Sequence, residues 1–164
     1  MLPPWPGWDG LHPLVIHFPV ALLLVVPVFL LLAVVWRQHA TGFRVSALIL
    51  LVLGTAAAFV AASTGQAAAE LADRTEGITA AIAIHEELAE RVVSIFTAIT
   101  ICYAVLLVLP RFVKRLARPG VQAVVTLLML AAVLAASLPL AAAAHQGGML
   151  VHKFGVHAML AKGS

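Results

Sequence analysis

Charge is what this sequence has least of: Asp, Glu, Lys and Arg together make up 10% of 164 residues, against roughly 25% in a soluble domain. Hydrophobic residues make up 63%. That balance excludes a water-soluble globule and reads as one integral membrane domain, packed helix against helix in lipid. Cysteine is nearly absent as well. The single thiol, Cys102, lies inside an apolar run, so no disulfide framework is available and it reads as packing. The opening MLPPWPGWDG has no basic n-region, so no cleaved signal is expected. Phosphate-cradling glycine loops, a nucleophile with its base and the HExxH pair are missing, since His85-Glu86-Glu87 lacks the second histidine. An enzyme acting alone is the least supported reading. A nucleic-acid role has no support, because the basic residues follow a membrane-orienting pattern. No internal repeat stands out.

What the sequence does have is long apolar stretches. Residues 18–36, 45–64, 92–110 and 121–144 each span about 19–24 positions, enough at a rise of about 1.5 Å to cross roughly 30 Å of hydrocarbon. They predict an all-α integral membrane four-helix bundle, up-and-down, as a single domain over 1–164. The helices are expected at about 13–36, 45–65, 77–110 and 120–145, with an interfacial tail over 146–164. Connector 37–44 carries Arg37 and Arg44 and no acid. Connector 111–120 carries Arg111, Lys114, Arg115 and Arg118, again without an acid, while all seven acids fall on the opposite side. The positive-inside rule then puts both termini on the non-cytoplasmic side of a bacterial inner membrane, crossed by a multi-pass chain. Trp5, Trp8 and Trp36 lie near run ends and read as interfacial anchors.

On this topology six of the seven histidines gather at the outer face: His12, His17, His85, His145, His152 and His157. Only His39 is left inside. Counting about 24 residues outward from the inner helix ends places His12, His85 and His145 at one level, with His17 roughly 7 Å deeper. Between 65 and 91, Ile78, Ala81, Ile82, His85, Leu88, Ala89 and Val92 recur at helical spacing, so the third helix extends outward with His85 on its buried face. Gly147-Gly148 is expected to end the fourth helix.

The outer halves of helices two and four are built from small residues, Ala56 to Ala58, Ala61, Ala62 and Gly65, then Ala141 to Ala144. Small residues let helices approach closely, and they also leave room for a flat macrocycle between facing imidazoles. Taken singly, each histidine has a bland reading: His12 as a polar helix start, His152 and His157 as wet tail residues, His39 as solvated. Their conjunction is harder to dismiss, because ionisable groups within a membrane usually mark function. Imidazole also suits a bare transition-metal ion, although against copper(I) the outer end has no cysteine, and Met149 and Met159 are isolated.

The motif His12-Pro13-Leu14-Val15-Ile16-His17-Phe18-Pro19, the Thr64-Gly65 pair, His85, and the sequence Gly147, Gly148, Leu150, Val151 resemble a bacterial membrane family named domain of unknown function 2231. The resemblance covers nearly the whole chain and implies a four-helix membrane fold. His145 and His152 also match an HxGGxLxH-like ending found in a subset of that family, often in proteins with cytochrome or Rieske modules, although Lys153 stands where a glycine would follow. That association implies electron transfer.

The expected function is a haem b-binding membrane cytochrome or cytochrome-like subunit, holding one or two haems and carrying electrons near the periplasmic face. His12, His17, His85, His145 and His152 are the candidate cofactor residues, with His17, His85 and His145 foremost as axial ligands. Helices one and three should lie diagonally, which makes His17 with His85 the first expected pair. Arg74, Arg91 and Lys153 are candidate propionate partners. The lipid bilayer and membrane or periplasmic electron-transfer proteins are the expected partners. The alternative is an accessory subunit of a larger respiratory or transport complex, with a transition-metal ion or no cofactor.

Overall fold

The computed structural model describes residues 7–72 and 75–156. Four helices cross the bundle: α1, His12–Val35; α2, Ala40–Glu70; α3, Glu76–Val108; and α4, Pro119–His152. All four are long and apolar enough to span a membrane, and no strand occurs among the described residues. About 20 residues suffice for a crossing, so the 31 to 34 residues of α2, α3 and α4 carry these helices beyond the hydrocarbon. α1 is interrupted only at Ile16. Pro19 has no N–H to donate to the carbonyl four residues back, which weakens the ladder there.

α1 packs on α2 and α4, and α3 packs on the same two, leaving α1 with α3 and α2 with α4 as the diagonals. Each helix buries one seam whose positions step by threes and fours, the spacing that keeps one face of a left-handed bundle turned inward. On α1 the seam is Pro19, Leu23, Val26, Leu30 and Ala33; on α2 it runs through Ala47, Leu51, Gly54, Ala58 and Ala61. On α3 it includes Ile82, Val92, Phe96 and Tyr103, and on α4 Met129, Val133, Ala136, Leu140 and Ala143.

These seams reveal a repeat that residue identity conceals. One constant offset carries Pro19, Leu23 and Leu30 of α1 onto Val92, Phe96 and Tyr103 of α3, all buried. A second carries Ala47, Leu51, Gly54, Ala58, Ala61 and Ala68 of α2 onto Met129, Val133, Ala136, Leu140, Ala143 and Leu150 of α4, every one buried. The seams of the two helix pairs thus overlap in part, since Val26 and Ala33 fall on the half-buried Ile99 and Leu106.

The helices run further than the apolar runs alone indicate, because runs measure the lipid-crossing length and not the projecting turns. α3 begins at Glu76, well before its apolar run, and α4 continues through Gly147 and Gly148 to His152. The residue that does close it is Gly155, in the left-handed region at φ 65°. Gly155 N–H donates to Val151 O at 3.1 Å, the single bond of a left-handed cap, and Val156 N–H reaches back to Leu150 O at 3.0 Å. The expected tail is therefore helical through His152, and residues 157–164 lie outside the described part.

Polar bonds cross between helices at the basic end. Arg44 of α2 donates from Nε to Thr126 Oγ1 at 2.9 Å and from one terminal nitrogen to Gln122 Oε1 at 3.3 Å, spanning the diagonal to α4. Tyr103 of α3 donates to Arg44 O at 3.4 Å. Thr55 and Thr100 join α2 to α3 at 2.9 Å.

Gly54 marks the closest approach of α1 and α2: a Cβ there would lie 2.6 Å from Leu23 Cδ2 and 2.8 Å from Leu23 Cγ, and Leu23 is fully buried. Gly54→Ala should lower stability by about 1–3 kcal/mol through overpacking. Gly42→Ala, where a Cβ meets nothing within 4 Å, should leave stability unchanged or raise it by up to about 1 kcal/mol. Reversible unfolding in mixed micelles checks both.

Candidate functional site

At the end of the bundle opposite the basic connectors, two seam positions that would otherwise be apolar are histidines. His12 continues the α1 seam outward from Pro19 through Ile16, and His85 continues the α3 seam from Val92 through Ala89. The offset that carries Leu23 onto Phe96 carries His12 onto His85, so the two occupy equivalent places in the two hairpins.

Each ring rests on a glycine of the next helix. A Cβ on Gly65 of α2 would lie 2.9 Å from His12 Cε1, and a Cβ on Gly147 of α4 would lie 3.0 Å from His85 Cε1. One helical turn before each glycine, a backbone carbonyl takes a ring nitrogen: His12 Nδ1 lies 2.9 Å from Ala61 O, and His85 Nδ1 lies 3.1 Å from Ala143 O. A carbonyl oxygen only accepts, so each Nδ1 carries a proton and donates it to the facing carbonyl. His12 has an added neighbour, Thr64 Oγ1, at 3.2 Å from Nδ1.

Across the α1–α3 diagonal the two ring centroids are 6.3 Å apart, with ring planes at 76°. Around them lies a cavity of about 450 Å³, within the range of roughly 300–1,000 Å³ usual for ligand sites. Its walls are mostly apolar and small: Ala58, Ala61, Ala62, Ala143 and Ala144 from α2 and α4 leave the space that larger seam residues fill deeper in the bundle. Gln66, Glu86 and Glu90 supply the further polar groups of the lining, and Val156 of the turn after α4 also borders it.

The remaining sequence candidates are placed elsewhere. His17, His145 and His152 are exposed and do not line the cavity. The structure therefore brings His12 to His85, and does not bring His17 to His85. His17 follows Ile16 off the seam, and His145 falls between the seam positions Ala143 and Gly147. His39 is at the far end, edge-on to Trp36 at 5.6 Å. His157 and Arg74 lie outside the described residues. Arg91 is exposed and ion-paired with Glu87, while Lys153 sits 5.5 Å over the Phe154 ring; neither lines the cavity. Arg44, counted in the sequence as a topology-setting charge, was missed as a structural residue. The three-and-four step extended outward from Leu23 and Phe96 is the signal that separates His12 and His85 from their neighbours.

Four helices apolar and long enough to cross a membrane, with a paired-imidazole cavity at one end of their bundle, mark a multi-pass membrane protein. The chain belongs to the family described as predicted membrane protein (DUF2231), whose model matches residues 9–159. No curated protein and no solved structure matches it.

The division of the histidines is testable by diethylpyrocarbonate labelling in detergent, read by mass spectrometry. His145 and His152 should be modified first and His12 and His85 last. Equal rates for all four would contradict the inward placement of the pair.

Proposed function

We propose that this chain is a haem b-binding membrane cytochrome or cytochrome-like subunit, with His12 and His85 as the two axial ligands of a single haem. The observation that carries the reading is the 6.3 Å separation of their ring centroids. At that separation the two rings would be able to hold one metal ion between them. The carbonyls of Ala61 and Ala143 supply the orienting acceptors that metal-bound histidines ordinarily have. A site made only of protein side chains usually needs three or four donors, and no group of three His, Cys, Asp or Glu suited to an ion occurs among the described residues. A pair of imidazoles instead suits a metal whose remaining positions are filled by a macrocycle, for which the alanine-walled cavity leaves room. With one cysteine in the chain, the two-thioether attachment of a c-type haem is not available, which favours the b type.

The iron of a bound haem supplies one-electron chemistry. The chain's own contribution is to hold two imidazoles at fixed spacing, to keep each in its Nδ1–H form, and to surround them with apolar walls. By the positive-inside rule the histidine end faces outward, at the periplasm of a Gram-negative cell, so electron partners would meet the chain there.

Expression with ample haem, followed by air-oxidised and dithionite-reduced spectra, tests the reading. The wild type should show a sharp reduced α-band at one haem per chain by pyridine haemochrome. His12→Ala and His85→Ala should each abolish it. His17→Ala, His145→Ala and His152→Ala should keep it. Full occupancy in His85→Ala would reject the assignment, and a colourless wild type would favour the accessory-subunit reading.

A further inference from the structure

The two half-sites match at the histidine, the alanine carbonyl and the glycine, and differ one residue before the glycine. The offset that carries Gly65 onto Gly147 carries Thr64 onto Gln146. Thr64 is fully buried, whereas Gln146 is partly exposed. The Thr64 hydroxyl lies 3.0 Å from both Val60 O and Ala61 O, so its single proton goes to one of these carbonyls, and a lone pair remains for the His12 Nδ1–H at 3.2 Å. That N–H is therefore shared between Ala61 O and Thr64 Oγ1. On His85, Ala143 O is the single hydrogen-bond acceptor among the described residues.

We infer that Thr64 is a positioning residue that makes His12 and His85 inequivalent, holding the His12 ring and its Nδ1 proton more firmly than its counterpart. A second acceptor on Nδ1–H restricts rotation about the ring's bond to its side chain. It also draws that proton away from the ring and raises the basicity of Nε2. The inference concerns the pair that the haem reading uses, and its effect on a bound metal rests on that reading; the effect on the His12 proton does not. A hydroxyl buried in an apolar, alanine-rich stretch also needs a reason to be there, since an unpaired one is costly. Satisfaction by its own helix carbonyls leaves the histidine contact as its one bond to another helix.

The test compares wild type, Thr64→Val and Thr64→Ser, using ¹⁵N-histidine NMR in micelles without added haem and redox titration of any haem-loaded protein. Replacing the hydroxyl by a methyl should speed solvent exchange of the His12 Hδ1 about fivefold, the equivalent of one neutral hydrogen bond. Thr64→Ser should restore the slow exchange, and the His85 signal should stay where it is in all three. In haem-loaded protein, Thr64→Val should raise the midpoint potential with haem stoichiometry unchanged. Identical His12 exchange in wild type and Thr64→Val, or equal changes at both histidines, would overturn the role of Thr64. A wild type that binds no haem but whose His12 proton responds to Thr64→Val would reject the haem reading alone. A haem-loaded wild type whose His12 proton ignores the substitution would reject Thr64 alone.

Discussion

Helices in lipid gain little by hiding apolar surface from one another, so a bundle holds together by how closely its seams approach and by the polar bonds that cross them. Here the small seam residues decide where approach is close and where space is left. Gly54 brings α2 onto Leu23 with no room for a Cβ. Gly65 and Gly147 do something different, since each accepts the edge of an imidazole where a side chain would have stood. An imidazole N–H in this setting must find an acceptor. The carbonyls of Ala61 and Ala143 already belong to helix ladders, yet a carbonyl has two lone pairs, and the second takes Nδ1. The helix backbone thus serves as scaffold and as ring-orienting group at once.

The two ends of the bundle solve the problem of polarity in different ways. At the basic end a charged group, Arg44, spans the α2–α4 diagonal and is satisfied by neutral partners, Thr126 and Gln122. At the other end the α1–α3 diagonal is spanned by two imidazoles facing a cavity. Between them the seam is filled mainly by apolar residues such as Leu23, Leu30 and Phe96, with the Thr55–Thr100 bond crossing it. The cavity at the histidine end opens in the layer where seam residues include histidine, alanine and glycine.

Much of this was legible in the sequence, for physical reasons. Four apolar runs had to be four crossing helices, because a lipid-exposed backbone must satisfy its own hydrogen bonds. The stripe from Ile78 to Val92 placed His85 inward on an outward extension of the third helix, as it stands. Choosing among histidines was harder, because depth counts say how far out a residue lies but not which way it points. His145 and His12 have nearly the same depth, yet one step off the seam turns His145 to the exterior. His17 drew attention by lying inside an apolar run, but a run is apolar on every side and carries no facing information. Gly147 and Gly148 looked like a helix end because glycine is a poor helix former. A close ring contact keeps Gly147 in the helix, and Gly155 provides the left-handed closure.

The proposal that His12 and His85 hold one haem is tested most directly by electron paramagnetic resonance of the haem-loaded, air-oxidised protein. With His12 and His85 as ligands at an interplanar angle near the observed 76°, the ferric signal should be low-spin and highly anisotropic, the pattern of near-perpendicular axial imidazoles. It should vanish with either histidine. A high-spin signal, or a low-spin signal that survives His12→Ala or His85→Ala, would contradict the central claim that this pair is the site.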